Sequence, residues 1–169
     1  MPTKKAAPKK AEAPVRGPKV GNKAPAFAMP TVGGGTVELA KLKGKTVVLY
    51  FYPKDDTPGC TKEACGFNDT LAQFKKLDAE IVGVSRDAMK SHDKFAAKYG
   101  LKFHLASDED SKASTAYDTW VEKSMYGRKY MGMERATYLI DKTGTIRNVW
   151  RPVSVTGHVE EVLEATKAL

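Results

Sequence analysis

Two cysteines, Cys60 and Cys65, are the residues of this chain best suited to covalent chemistry. Two thiols are too few for the disulfide framework of a small secreted domain. A structural zinc site usually needs four Cys or His ligands, and the three histidines are scattered without a ligand-like spacing. We therefore expect no metal site, and the two thiols are candidates for nucleophilic and redox chemistry.

Cys60 lies where a loop rich in turn residues passes into a helix. A thiol in the first turn of a helix faces unpaired backbone N–H groups and the positive end of the helix dipole, and both favour the thiolate. The loop follows a buried strand, and in open α/β sheets ligands bind at such junctions. We expect the loop and the helix start to expose Cys60, the alternative being a buried, inert thiol.

The residues around Cys60 include groups that could assist attack by a thiolate. Such an attack requires hydrogen-bond donors for the charge that develops on the leaving atom. Thr57 Oγ1 and the backbone amides of Gly59 and Cys60 are candidate donors, and Arg135 is a candidate guanidinium from a distant part of the chain. Pro53 is expected to stiffen the loop and keep water from the thiol. Taken alone, an arginine such as Arg135 is more often a surface ion-pair residue.

The elements that must position these residues follow an α/β order. Residues 46–52 are a continuous run of apolar, β-branched and aromatic side chains, typical of a strand buried on both faces. Apolar residues at helical spacing then run from Cys60 to about Leu77. We also predict strands at 80–85, 103–106, 136–140 and 145–150, helices at 92–99, 111–117 and near the end of the chain, and a loop after Trp120. This order predicts an α/β fold with a mixed central sheet flanked by helices, which a thioredoxin-like arrangement fits well.

Charge divides the chain into two parts. Five of its eight net positive charges lie within residues 1–20, which are rich in Lys, Ala and Pro. We predict a disordered basic tail over residues 1–19 and one folded domain over residues 20–169. Such a tail is either a solubilising extension or a segment that contacts nucleic acid. No apolar run is long enough to span a membrane, and we expect a cytoplasmic protein.

Residues 57–65, Thr-Pro-Gly-Cys-Thr-Lys-Glu-Ala-Cys, closely resemble the active loop of peroxiredoxins of the Q type, also called bacterioferritin comigratory proteins. The resemblance covers about residues 20–169 and includes Phe51-Tyr52-Pro53-Lys54 and the segment 135–141. It implies a monomeric protein with a thioredoxin-like fold that reduces hydrogen peroxide and organic hydroperoxides. It also implies recycling by thioredoxin or a related dithiol reductant, without a metal or organic cofactor.

The resemblance also implies roles for individual residues. Cys60 would be the peroxidatic cysteine, Cys65 the resolving cysteine that forms a disulfide with it, and Pro53, Thr57 and Arg135 the activating neighbours of Cys60. Residues five apart on a helix differ by about 7.5 Å along its axis and by roughly 140° around it. A disulfide usually needs Cα atoms within about 7 Å of each other. We therefore expect the first turns of the helix to unwind before the two sulfurs bond.

Three alternatives remain open for the function of the protein and for Cys65, and two roles for Glu63. A thioredoxin-like disulfide reductase would have two residues between its cysteines, whereas four separate Cys60 from Cys65. Cys65 could be a core thiol of a one-cysteine enzyme that an external thiol resolves. A nucleic-acid-binding protein would use the basic tail and a basic or aromatic surface, of which residues 126–130 are a faint version. Glu63 either positions Arg135 or complements the helix dipole.

Overall fold

A five-stranded mixed sheet forms the centre of the computed structural model, which describes residues 17–169. The strands are β1 (Ala28–Pro30), β2 (Thr36–Glu38), β3 (Thr46–Phe51), β4 (Ala79–Ser85), β5 (His104–Ser107), β6 (Trp120–Met125), β7 (Arg128–Met133), β8 (Ala136–Ile140) and β9 (Ile146–Trp150). The helices are α1 (Pro58–Asp69), α2 (Leu71–Lys76), α3 (Met89–Tyr99), α4 (Lys112–Ala116) and α5 (His158–Lys167), with a 3-10 turn at Leu39–Leu42.

The central sheet has the strand order β5-β4-β3-β8-β9. β3 pairs in parallel with β4, and β4 in parallel with β5, whereas β8 runs antiparallel to both β3 and β9. Every residue of β3 is buried, because alternate side chains enter two separate hydrophobic clusters on the two faces of the sheet. The predicted mixed α/β sheet with a doubly buried strand at its centre is confirmed.

The long helix predicted after Cys60 is divided in two. α1 ends at Asp69 and α2 begins at Leu71, with Thr70 between them in a non-helical conformation. The Thr70 hydroxyl donates to the carbonyl oxygen of Gly66 at 2.9 Å. A threonine that bonds back to the preceding turn competes with the backbone ladder, which explains a boundary that the apolar spacing did not reveal.

The loop predicted after Trp120 is wrong, because β6 and β7 form a two-stranded antiparallel hairpin there. Tyr126 and Gly127, in the turn, both have positive φ, as a tight hairpin turn requires. The hairpin carries many charged side chains and is mostly exposed, so it lacks the apolar alternation by which strands are found in a sequence.

The segment before β1 packs against the β8–β9 turn. The Gly21 amide donates to the carbonyl oxygen of Ile146, and the Ala24 amide to that of Gly144. Most of the predicted tail, residues 1–16, lies outside the described residues. No helix in residues 17–169 is long and apolar enough to cross a membrane.

Candidate active site

Strand register brings the predicted arginine to the predicted cysteine. We call residues 53–57, between β3 and α1, the active loop. Phe51 at the end of β3 pairs with Ala136 at the start of β8. Arg135 therefore lies beside the point where the chain leaves the sheet and enters the active loop, although it is 75 residues from Cys60.

The N-terminus of α1 presents free backbone amides at the active loop. Thr57 is the N-cap and Pro58 the first helical residue, and the Thr57 side chain makes no capping hydrogen bond. The amides of Gly59 and Cys60 precede the first intrahelical bond, which runs from Thr61 to the Thr57 carbonyl at 2.8 Å. Both predicted backbone donors are thus available to an oxygen atom near Cys60.

The Thr57 hydroxyl does not have the donor role that we expected. Its single proton is donated to the carbonyl oxygen of Lys54 at 2.8 Å. A hydroxyl with its proton engaged can still accept a hydrogen bond through its oxygen lone pairs. Thr57 Oγ1 is therefore suited to accept a hydrogen bond from an O–H group of a ligand. The donors are then the backbone amides of Gly59 and Cys60 and the Arg135 guanidinium.

Cys60 is buried, with 1% of its surface exposed, so the expected exposure is wrong. It belongs to the hydrophobic cluster that includes Tyr50, Ala64 and Phe67. It is nevertheless not surrounded by apolar groups alone, since Arg135 Nη2 donates to its Sγ at 3.3 Å. The guanidinium beside the sulfur stabilises negative charge there, which an inert core thiol would lack.

Glu63 holds Arg135 in place. Its Oε1 accepts a hydrogen bond from Arg135 Nη1 at 2.8 Å, so one guanidinium bridges the carboxyl group and the Cys60 sulfur. The Glu63 side chain is fully buried, and its Oε2 has no hydrogen-bond partner among the described residues. Burial raises the pKa of the Glu63 carboxyl to about 7, although Arg135 opposes the shift. Of the two roles considered for Glu63, the structure thus supports the positioning of Arg135.

Gly59 allows Arg135 to lie directly against the helix start. A Cβ atom at this position would be 3.2 Å from Arg135 Nη2, which is tighter than ordinary van der Waals contact. A larger residue at position 59 would push the guanidinium aside by a few tenths of an ångström or more.

Cys65 is a partly buried free thiol on the same helix as Cys60. Burial, and to a lesser extent the nearby Asp69 carboxylate, raise the pKa of the Cys65 thiol. α1 is continuous from Pro58 to Asp69, so the helical spacing that separates the two sulfurs is retained. The structure is therefore the reduced form, in which a disulfide is out of reach without unwinding.

Pro53 is exposed at the start of the active loop. It lines an open cleft whose other side is formed by Trp120 and by Tyr130 and Met131 of the β6–β7 hairpin. Pro53 therefore lies at the surface of the active loop and borders this cleft.

His158, the first residue of α5, lies near Glu63. It is not among the site residues predicted from the sequence. Its Nε2 is 2.8 Å from Thr137 Oγ1 and 3.9 Å from Glu63 Oε2. Burial lowers the pKa of His158 to about 4, so the imidazole is neutral near pH 7. No spacing in the sequence could reveal this contact, because His158 is distant from Glu63 along the chain.

Among the described residues, Asp55, Asp87 and His92 are the one group with metal-ligand atoms close together, within 4.8 Å of one another. His92 Nδ1 lies 2.7 Å from Asp55 Oδ2, and Asp87 Oδ2 accepts from the Asp55 amide at 2.8 Å. These distances are those of direct hydrogen bonds, and Asp87 Oδ2 also accepts from Ser85 Oγ at 2.7 Å, so each of the three side chains has a hydrogen-bond partner in the protein.

The family of the chain follows from comparison with known proteins. The model of the AhpC/TSA family matches residues 20–149. The chain belongs to this family and, within it, to the Q-type peroxiredoxins. A Coxiella burnetii relative named as a bcp peroxiredoxin is 52% identical over 145 residues, which are 86% of this chain and 96% of the relative. The Bacillus subtilis peroxiredoxin Bcp is 48% identical over 149 residues, or 88% of this chain and 95% of the relative.

Solved structures agree with this assignment. Xanthomonas campestris peroxiredoxin Q superposes with a TM-score of 0.81 at 46% identity, covering 84% of this chain and 90% of that one. Variants of that protein with either of two cysteines replaced by serine are also known. Those two cysteines are much farther apart in its sequence than Cys60 and Cys65 are in this Q-type peroxiredoxin.

The predicted family, thioredoxin-like fold and enzyme class are therefore confirmed. This Q-type peroxiredoxin is a thiol peroxidase, and its family works through peroxidatic and resolving cysteines. Peroxiredoxins act on hydroperoxides with a thioredoxin-type reductant.

Proposed function

We propose that Cys60 is the peroxidatic cysteine and Cys65 the resolving cysteine of this peroxidase. The observation that carries the proposal is the Arg135 guanidinium, which Glu63 holds while it donates to the Cys60 sulfur at 3.3 Å. Cys65 is the only other cysteine in the sequence, so an intramolecular disulfide of Cys60 has one partner available.

In the first step, Cys60 Sγ attacks one peroxide oxygen, and the O–O bond breaks. The sulfur keeps the attacked oxygen and becomes a sulfenic acid, and the leaving oxygen takes up the proton that the Cys60 thiol has lost, so that it departs as water or an alcohol. Thr57 Oγ1 accepts the hydrogen bond of the peroxide O–H, while the amides of Gly59 and Cys60 and the Arg135 guanidinium donate to the leaving oxygen. Pro53 borders the cleft beside the active loop.

In the second step, Cys65 Sγ attacks the Cys60 sulfenic acid and a disulfide forms, while the hydroxyl of the sulfenic acid takes up the proton of the Cys65 thiol and leaves as water. The first turns of α1 must open, which breaks the contacts of Arg135 with both Cys60 and Glu63. Thioredoxin or a related dithiol then reduces the disulfide, and α1 refolds.

Substrates of this site include hydrogen peroxide and organic hydroperoxides. The Xanthomonas campestris relative has alkyl peroxide reduction activity. The apolar side chains of the cleft beside Pro53, among them Trp120 and Met131, are suited to contact an alkyl group.

The test is peroxide consumption coupled to thioredoxin and its reductase, for wild type, Cys60→Ser and Cys65→Ser. We expect Cys60→Ser to lose turnover. Cys65→Ser should keep the first reduction of peroxide, with a burst of one equivalent, and lose recycling by thioredoxin. Full activity of Cys60→Ser would overturn the peroxidatic assignment, and thioredoxin-driven turnover of Cys65→Ser would overturn the resolving assignment.

Four further properties belong to the proposal. A folded domain that begins near residue 20 is supported by the hydrogen bonds of Gly21 and Ala24 to the β8–β9 turn, and limited proteolysis would test it.

A monomer is expected from the resemblance to the Q type, and light scattering would test it. A cytoplasmic location is supported by two free thiols that require a dithiol reductant, and cell fractionation would test it. Contact of the basic tail with nucleic acid is tested by a gel shift of the full chain against residues 20–169 near physiological salt.

A further inference from the structure

Asp55, in the middle of the active loop, is buried, and its carboxyl group is surrounded by hydrogen-bond partners. Its carboxylate accepts hydrogen bonds from the Tyr52 hydroxyl and from Ser91 Oγ at 2.7 Å, and it faces His92 Nδ1 at 2.7 Å. Its backbone amide donates to Asp87 Oδ2 at 2.8 Å. Burial would raise the pKa of Asp55, but the hydrogen bonds from His92, Tyr52 and Ser91 lower it below its ordinary value. The group is therefore a fully bonded carboxylate.

His92 on α3 has a hydrogen-bond partner at each ring nitrogen. Its Nε2 lies 2.9 Å from the carbonyl oxygen of Ala106, which can only accept a hydrogen bond, so Nε2 carries a proton. Its Nδ1 lies 2.7 Å from Asp55 Oδ2, so a proton is shared between the imidazole and the carboxyl group. The His92 side chain is fully buried and that of Asp55 is 3% exposed. The active loop is thus tied to α3 by a hydrogen-bonded pair shielded from solvent.

A second contact joins the next loop residue to the same helix. Asp56, with a φ of +58°, accepts hydrogen bonds from Lys98 Nζ at 2.9 Å and from the Tyr99 hydroxyl at 2.8 Å. This pair is exposed to solvent, where an ion pair contributes little. The two residues that make these contacts, Asp55 and Asp56, immediately precede Thr57, the N-cap of α1.

We propose that Asp55 and His92 are a positioning pair, which holds the active loop in the closed arrangement and makes the opening of α1 begin after Asp56. The inference rests on the proposed roles of Cys60 and Cys65. With the pair intact, Thr57 and the amides of α1 stay directed at an incoming peroxide, and only the segment that carries Cys60 moves to reach Cys65. The pair acts through the loop backbone and touches neither the peroxide nor the sulfur.

Removing the pair has opposite effects on the two chemical steps. Peroxide reduction requires the closed loop, so a loosened loop slows the attack by Cys60. Disulfide formation requires an open α1, so the same change speeds it. A sulfenic acid that leaves the closed site sooner also meets a second peroxide less often, so overoxidation falls.

The experiment compares Asp55→Asn and His92→Gln with Asp56→Asn, which removes the exposed pair on the same loop and helix. Stopped-flow fluorescence of Trp120 and Trp150 follows the reduced enzyme after mixing with hydrogen peroxide, and mass spectrometry of acid-quenched samples assigns the sulfenic acid and the disulfide. In Asp55→Asn and His92→Gln we expect sulfenic acid formation to slow by about tenfold or more, because small misplacements are costly in catalysis. Disulfide formation should become several-fold faster, whereas Asp56→Asn should change either step by less than about twofold.

Ser91→Ala is the milder variant, which removes one hydrogen bond to Asp55 and leaves the contact between Asp55 and His92. It should slow sulfenic acid formation and speed disulfide formation, each by a smaller factor. It replaces Asp55→Asn in the test if that variant fails to fold. Parallel slowing of both steps, or no change in either, overturns the positioning role. Thioredoxin-driven turnover of Cys65→Ser would instead show that the proposed cysteine roles have failed, so the two failures are distinguishable.

Discussion

Replacing Glu63 by glutamine tests how the ionisation of a buried carboxyl group beside the active site changes the free energy of unfolding. One Glu63 oxygen accepts from Arg135, and the other has no hydrogen-bond partner among the described residues. Burial raises the pKa of this carboxyl from 4.5 to about 7. At 1.36 kcal/mol per pKa unit, this shift corresponds to about 3 kcal/mol of unfolding free energy that depends on pH.

The direction of the effect follows from the raised pKa. Stability from a group whose pKa is higher in the folded protein is fully present below its unfolded pKa, and it is lost as the pH rises through the folded value. The Glu63 contribution therefore disappears between about pH 4.5 and pH 7. His158 acts in the opposite direction, because its lowered pKa of about 4 makes its contribution present above its ordinary pKa and lost as the pH falls. The pH dependence of the wild-type unfolding free energy would therefore combine the Glu63 and His158 contributions.

The difference between wild type and Glu63→Gln removes the His158 contribution, since both proteins contain that residue and its pKa is set by burial, Glu161 and Arg135. We expect this difference in unfolding free energy, measured by urea denaturation of the reduced proteins at constant ionic strength, to fall by about 3 kcal/mol between about pH 4.5 and pH 8. Glu160→Gln, at an exposed position on α5, is the matched control and should differ from wild type by less than about 0.5 kcal/mol throughout. A difference that stays flat or rises with pH for Glu63→Gln would refute the reasoning, because the carboxyl group would then stay ionised beside Arg135.

Three further outcomes are expected. Gly59→Ala should lower the second-order rate constant for peroxide by about tenfold, because the new Cβ displaces the Arg135 guanidinium; an unchanged rate constant in stopped-flow measurements would contradict this. Gly66→Ala should destabilise the reduced protein by about 1 kcal/mol despite its better helix propensity, because its Cβ would lie 3.0 Å from Val159 Cγ2 on α5; thermal melts that show stabilisation would rule out the clash. Peroxide oxidation of wild type should lower the helical signal in circular dichroism, and unchanged helicity with a confirmed intramolecular disulfide would refute the opening of α1.

The Gly66 result bears on why a glycine occupies the middle of α1. A glycine inside a helix favours local unwinding, which the chemistry of Cys60 and Cys65 requires. The structure adds a packing reason, since Val159 on α5 leaves no ordinary space for a side chain. The two explanations differ in the sign of the stability change, so the melts distinguish them.

Much of the local architecture could be predicted from the sequence. Continuous apolar residues over 46–52 identify a strand buried on both faces, and the turn residues before Cys60 identify a loop that leads into a helix. These signals are local, because they depend on side-chain alternation, helical spacing and turn chemistry within a few residues. The hairpin of β6 and β7 was missed, since its exposed, charged strands have no apolar face.

The arrangement around the sulfur was decided by tertiary structure. The pairing of Phe51 with Ala136 brings Arg135 to Cys60, and no local pattern contains a contact across 75 residues. Packing also buried Cys60, which the sequence suggested to be exposed, and left one oxygen of Glu63 without a hydrogen-bond partner within residues 17–169. The sequence by itself determined which groups could do the chemistry and which element each belongs to. Only the packed sheet decided their distances, burial and charge, because these depend on strand register and on the neighbours that desolvate each group.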